Sequence, residues 1–244
     1  YQVTKDECKR CVLDALETGY RLIDTAQSYF NEEKVGQALA ESGIPRRDIF
    51  LTTKVWVEHY GYEETKKSVY ISLEKLKTEY LDLMLLHQPF ADYYGAYRAL
   101  EDLYTEGVIR AIGVSNFYPD RLVDIANFAR IVPMVNQVET HPLNQQTEAM
   151  KWMKKYDVQI EAWAPFGEGR GGLFENDVLT AIGKKYNKTA AQVMLRWNLQ
   201  RGVVVLPKST HKERMEQNFN VFDFSLTEED MQKITGGISI PGLM

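Results

Sequence analysis

Two cysteines in 244 residues, Cys8 and Cys11, leave no room for a disulfide framework. Their spacing matches a redox pair, but they fall inside a helical pattern with no strand before it. We therefore read them as helix thiols in a reducing cytoplasm, and we expect no metal site. No apolar run approaches the roughly 20 residues that cross a bilayer, and no basic-then-apolar leader directs secretion. Positive charge is not in excess either. The formal charge of -5 offers no general attraction to nucleic acid or to an anionic membrane. No linker rich in Pro, Gly or Ser and no internal repeat divides the chain, so we expect one domain over residues 1–244. No Gly-x-Gly-x-x-Gly follows the first strand-like run, which argues against an open dinucleotide-binding sheet.

What is present is an alternation of short Val/Ile/Leu-rich runs with helical patterns. The spacing predicts strands at 21–24, 49–54, 81–87, 109–114, 133–138, 158–163 and 203–206. Helices are predicted over about 4–17, 31–42, 62–77, 94–106, 119–129, 146–155, 177–186, 189–200, 211–219 and 227–234. Thr4 with Glu7 forms a capping box at the first of these, and Gly19 ends it. Strands each followed by a helix form a parallel sheet. The length suits a closed α/β barrel of the (β/α)8 type, a TIM barrel, although only seven strands are counted.

Three of the first apolar runs end in a polar residue: Asp24, Lys54 and His87. Side chains alternate along a strand, so Leu22 and Asp24 share a face, as do Thr52 and Lys54, and Leu85 and His87. If those faces point inward, the three polar residues crown the core at the C-terminal rim, where such barrels carry their active sites. Tyr29 lies just beyond the first strand. Free tyrosine, with a pKa of about 10, is a poor acid at neutral pH. A nearby ammonium is expected to lower that value, and a carboxylate to hold the ammonium. Asp24, Lys54 and Tyr29 would be such a relay. A neutral His87 would polarise a carbonyl group beside it. Taken singly, Asp24 with Lys54 reads as a structural ion pair and His87 as a satisfied rim histidine. Their ending consecutive strands favours chemistry.

The motifs Asp24-Thr25-Ala26, Tyr29-Phe30-Asn31-Glu32, Thr52-Thr53-Lys54-Val55-Trp56 and Leu86-His87-Gln88-Pro89 resemble the aldo-keto reductase family. So do Gly113-Val114-Ser115-Asn116-Phe117, Asn136-Gln137-Val138-Glu139 and Pro207-Lys208-Ser209 followed by Arg214. The match runs in order along nearly the whole chain and points to the bacterial and fungal 2,5-diketogluconate reductase or prostaglandin F synthase-like branch. The resemblance implies a (β/α)8 barrel that reduces aldehydes and ketones with NADPH, and a monomer whose only partner is a small substrate. It assigns Tyr29 as general acid, Lys54 and Asp24 as its tuners, and His87 as the group that orients the carbonyl. Ser115, Asn116 and Gln137 would hold the nicotinamide carboxamide, and Trp163 would stack on the ring. Lys208, Ser209 and Arg214 would grip the 2′-phosphate, with Gln217 and Asn218 at the adenine. The segment Gly167 to Gly172 would cover the pyrophosphate. Trp56, His87, Phe90 and Phe117 would wall the substrate pocket, with Gln88 making its mouth more polar than the Trp many relatives carry there.

Two features depart from that family pattern. The chain begins at Tyr1-Gln2-Val3, about where a first barrel strand is expected to end, and the stretch Gly237 to Met244 resembles the family's lead-in. We therefore expect the first strand to be missing or supplied by a rearranged C-terminus. Two other functions fit the same fold: a cofactor-bound, non-enzymatic module like the potassium-channel β-subunits, and a carbohydrate or phosphate enzyme. The intact Asp24, Tyr29, Lys54 and His87 favour a reductase over the first. The Ser115-Asn116 and Lys208-Ser209 motifs argue against the second.

Overall fold

The computed structural model describes residues 1–238. Seven parallel strands lie in chain order across one sheet: β1 (Leu22–Asp24), β2 (Phe50–Val55), β3 (Leu83–Leu86), β4 (Ile112–Ser115), β5 (Val135–Glu139), β6 (Gln159–Trp163) and β7 (Val204–Val205). Helices α1 (Lys5–Thr18), α2 (Glu32–Glu41), α3 (Tyr62–Leu76), α4 (Tyr93–Thr105), α5 (Pro119–Phe128) and α6 (Thr147–Lys155) alternate with the first six strands. Then α7 (Asp177–Tyr186) and α8 (Ala190–Gln200) precede β7, with α9 (Lys212–Phe219) and α10 (Glu228–Gly237) after it. All seven predicted strands are present, as are all ten predicted helices.

Sequential order in a wholly parallel sheet is the path of a (β/α)8 barrel. Among the described residues no strand joins β1 to β7. The helical layer nevertheless meets across that gap. Tyr20 Oη donates to Met215 O at 3.0 Å, Lys212 pairs with Glu17 at 2.8 Å, and the Tyr20 and Phe219 rings meet edge to face at 5.0 Å. Of the terminal stretch expected to lie beside β1, Ile238 is buried in a separate cluster with Leu179, Trp197 and Ile234. Residues 239–244, on which a rearranged first strand would depend, lie outside the described residues.

The strand register carries the inward face around the barrel. Asp24 pairs with Thr52, and Thr52 with Leu83. Lys54 pairs with Leu85, Leu85 with Gly113, and Gly113 with Val135. Ser115, Gln137 and Glu161 form another layer, and Glu139 with Trp163 stands nearer the rim. Leu83, Leu85 and Lys54 are fully buried, so an ammonium stem fills a place in the barrel core. The other strand face packs against the helices through residues such as Leu51, Met84, Leu86, Ile112 and Val114.

Backbones pack closely where α2 crosses the end of α3. A Cβ on Gly36 would stand 2.3 Å from Lys75 O and 2.8 Å from Leu76 backbone atoms. Backbone on both sides cannot yield as a side chain can. Gly36→Ala is expected to cost about 1–3 kcal/mol, read as a lower midpoint in urea unfolding. Gly236→Ala, where nothing lies within 4 Å, is the control and should stay within about 0.5 kcal/mol of the parent.

Candidate active site

The site begins with the turn after β1. Residues Gln27–Tyr29 form one turn of 3-10 helix. Gln27 ties this turn to α3 and β2: its Nε2 donates to Ser68 Oγ at 3.1 Å and Ser72 Oγ at 3.2 Å, and its Oε1 accepts from Trp56 N at 2.9 Å. Thr25 Oγ1 donates to Asn31 Oδ1 at 2.6 Å and closes the other side. Tyr29 is thereby held over the rim.

Lys54 rises from β2 to meet it. Its Nζ lies 2.5 Å from Asp24 Oδ1, 3.0 Å from Thr25 O and 3.4 Å from Tyr29 Oη. His87 follows β3, and its backbone N–H donates to Val55 O at 3.1 Å. Its ring lies 5.7 Å from the Tyr29 ring and 5.2 Å from the Trp56 ring, centroid to centroid. Ser28 Oγ stands 3.3 Å from His87 Nδ1. The four residues expected at one mouth are therefore together.

The charges in this group depart in part from expectation. Burial alone would push the Lys54 ammonium down, but Asp24 and then Tyr29 outweigh it, and its pKa lies above the ordinary value. The Tyr29 phenol moves up, against the lowering expected from the sequence. Burial is the first cause. Lys54 pulls the other way, but Asp24 neutralises much of the ammonium's field and itself disfavours a phenolate. His87 is pushed down to about 3, by burial and then by the Lys54 charge, so its ring is neutral throughout the ordinary pH range.

A cavity of about 1060 Å3 opens from this group. Tyr29, Trp56, His87 and Gln88 line one part, Ser115, Asn116, Gln137 and Trp163 another, and Lys208, Ser209 and Asn218 a third. Phe166, Glu168, Gly169 and Phe174, from the glycine-rich segment after β6, lie along it. Ligand pockets commonly measure about 300–1,000 Å3, so the space suits a ligand as long as a dinucleotide. The donor set suits one too. Gln137 lines the cavity, and its Oε1 makes no hydrogen bond among the described residues. Asn116 is more fully engaged: Nδ2 donates to His87 O at 3.1 Å, and Oδ1 accepts from Trp163 Nε1 at 2.9 Å. Ser115 Oγ donates to Gln137 O at 2.8 Å. Trp163 is thus pinned by its indole N–H, with its ring on the cavity wall.

Other expected residues stand farther out. Arg214 is exposed in the first turn of α9, and Gln217 is exposed on the same helix. Neither lines the cavity, although Asn218 and Lys208 do. Phe117 does not wall the pocket: it is fully buried, edge-on to Tyr93 at 5.3 Å. Its aromatic bulk is needed in the helix layer. Phe90 is 61% exposed and is also absent from the cavity wall.

Two residues were not singled out from the sequence. Ser28 immediately precedes Tyr29, but its approach to His87 depends on the turn geometry. Glu161 points inward two residues before Trp163, and strand alternation was the signal that could have found it. It is buried, and its carboxyl is pushed up to about 7 by burial and then by Asp24.

The sequence profile of the aldo/keto reductase family matches residues 1–238. The chain belongs to the aldo/keto reductase family. It is 50% identical over 230 residues to glyoxal reductase of Bacillus subtilis, covering 94% of this chain and 83% of that protein. It is 49% identical over 230 residues to the 9,11-endoperoxide prostaglandin H2 reductase of Trypanosoma cruzi, covering 93% of this chain and 81% of that one. An aldo-keto reductase of Bombyx mori, solved in complex with NADP, superposes with a TM-score of 0.91 at 35% identity, over 96% of this chain and 83% of that chain. As a member of this family, the protein is an NADPH-dependent oxidoreductase that reduces aldehydes and ketones to alcohols. No helix among the described residues is long and apolar enough to cross a membrane.

The His87 shift has a measurable sign. The folded-state pKa is about 3 against an ordinary 6.5, so the neutral ring is the form that folding favours. Its contribution to stability is complete above about pH 6.5 and is lost as pH falls toward 3. NMR of labelled histidine should show no titration of the His87 ring between pH 5 and 9; a midpoint near 6.5 would contradict the burial and charge assigned here.

Proposed function

We propose that Tyr29 protonates the substrate oxygen, with His87, Lys54 and Asp24 arranged around that transfer. The observation that carries this reading is the position of Lys54: one buried ammonium reaches both Asp24 and Tyr29, at the mouth His87 shares. NADPH, when bound, supplies the hydride. Ser115, Asn116, Gln137 and Trp163 would hold its nicotinamide end and Lys208, Ser209 and Asn218 its phosphate and adenine end, with Arg214 and Gln217 meeting that end from the exposed face of α9 outside the cavity wall.

The chain's own part is the proton. A carbonyl that gains a hydride becomes an alkoxide, a far stronger base than phenolate. A Tyr29 with a raised pKa keeps its proton through neutral pH and still yields it to that base. The Lys54 ammonium then stabilises the phenolate left behind, and Asp24 keeps the ammonium in place. With Ser28 donating to Nδ1, the neutral His87 carries its proton on Nε2 and donates it as a hydrogen bond to the same oxygen. Solvent returns the proton to Tyr29 after the alcohol leaves.

For substrate we favour small reactive aldehydes of the glyoxal type. Trp56 gives the mouth an apolar wall, and Gln88 beside His87 gives a polar group for a second oxygen. A single-domain monomer in a reducing cytoplasm completes the reading, in keeping with Cys8 and Cys11 as buried, unpaired thiols.

Two expected outcomes test it. With glyoxal as substrate, Tyr29→Phe should lose at least about 100-fold in kcat, the scale of general-acid catalysis, while NADPH binding by fluorescence stays unchanged. Undiminished turnover would remove Tyr29 as the acid. Combining Lys208→Ala with Arg214→Ala should weaken NADPH at least about tenfold, since a charge-assisted contact contributes about 1.5–3 kcal/mol, and leave NADH affinity nearly as it was.

A further inference from the structure

Gln137 Nε2 carries two N–H groups, and each has its own carboxyl. One donates to Asp24 Oδ2 at 2.9 Å and the other to Glu161 Oε2 at 3.1 Å. An amide's two ends are told apart by their partners, and two carboxyl oxygens on one side require the NH2 there. The carbonyl Oε1 is left as the end that makes no hydrogen bond among the described residues, on a side chain that lines the cavity. Glu161 is 4% exposed, and Gln137 Nε2 is its only hydrogen-bond partner among the described residues. A carboxyl buried this deeply without a cation of its own is costly to keep. The active-site relay described above does not use it.

We infer that Glu161 is a positioning residue for cofactor recognition: by taking the second N–H of Gln137 it keeps the Gln137 carbonyl facing the cavity, as the acceptor for the NH2 of the nicotinamide carboxamide. This rests on reading the cavity as the NADPH site. Without Glu161, one N–H of a buried amide has no partner. The side chain then gains by turning that N–H toward the cavity, where it meets the carboxamide donor to donor. Asp24 alone holds the amide by one bond, which leaves it free to rotate about that bond.

The test compares NADP with its 3-acetylpyridine analogue, in which an acetyl group replaces the carboxamide and supplies no N–H. The wild type should prefer NADP. Glu161→Leu should bind NADP about tenfold more weakly and the analogue about as before, so the preference disappears. Glu161→Gln, whose carbonyl can still accept from Gln137, should restore NADP binding to within about threefold. In a Gln137→Leu background, Glu161→Leu should add nothing further. If Glu161→Leu does not fold, as judged by its melting transition, Glu161→Thr replaces it, because a threonine hydroxyl is too short to reach Gln137. The inference is overturned if the Leu or Thr variant keeps the wild-type preference, weakens both ligands equally, or loses as much in the Gln137→Leu background as in the wild type. Failure of the wild type to bind NADP at all would instead bring down the cofactor reading, and this inference with it.

Discussion

The Asp24–Lys54 ion pair is the constraint the site depends on. Lys54 is fully buried, and its ammonium would be driven to neutrality by desolvation were Asp24 not 2.5 Å away. Such a pair is a doubtful source of stability, because removing two charges from water consumes most of what their attraction returns. Its value lies elsewhere. It keeps a permanent positive charge at a fixed place beside a phenol. The same charge helps to hold His87 neutral and works against the upward push that burial gives the Tyr29 phenol, so one buried cation draws both neighbours toward their deprotonated forms.

Around that pair the interior of the barrel is unusually polar toward one end. Asp24 shares the layer of Leu83, Lys54 shares that of Leu85 and Gly113, and Ser115, Gln137 and Glu161 form the next layer toward the rim. Buried polar groups are tolerated when they are bonded to one another. Here Gln137 bridges two carboxyls, and Asn116 joins His87 to Trp163. The group around Tyr29 and the group proposed for the nicotinamide end are therefore one network, joined at Asp24.

Much of this was legible before any coordinates. Hydrophobic runs, helix caps and the absence of a glycine-rich phosphate loop led to the strand count and to a barrel in place of an open sheet. Alternation along β2 and β3 put Lys54 and His87 on the inward face. Phe117 and Phe90 were misplaced because sequence adjacency to a site motif says nothing about which side of a rim a loop residue takes; Phe117 was drawn into the helix layer by Tyr93. The direction of the Tyr29 shift was also misjudged, because a neighbouring cation was weighed without the burial and the counter-charge that accompany it.

The sequence by itself determined the order and type of the elements, the inward or outward sense of each strand residue, and which chemically capable side chains stand at strand ends. Those depend on local periodicity and residue type, which act over a few positions. Only the tertiary structure decided how far apart those side chains are, which carboxyl neutralises which cation, and how deeply each lies. Those quantities arise from strand register and from packing between segments more than a hundred residues apart, as between Asp24 and Gln137. Charge states follow from them, because the energy of a charge depends on the distance to its partners and on the water it has lost.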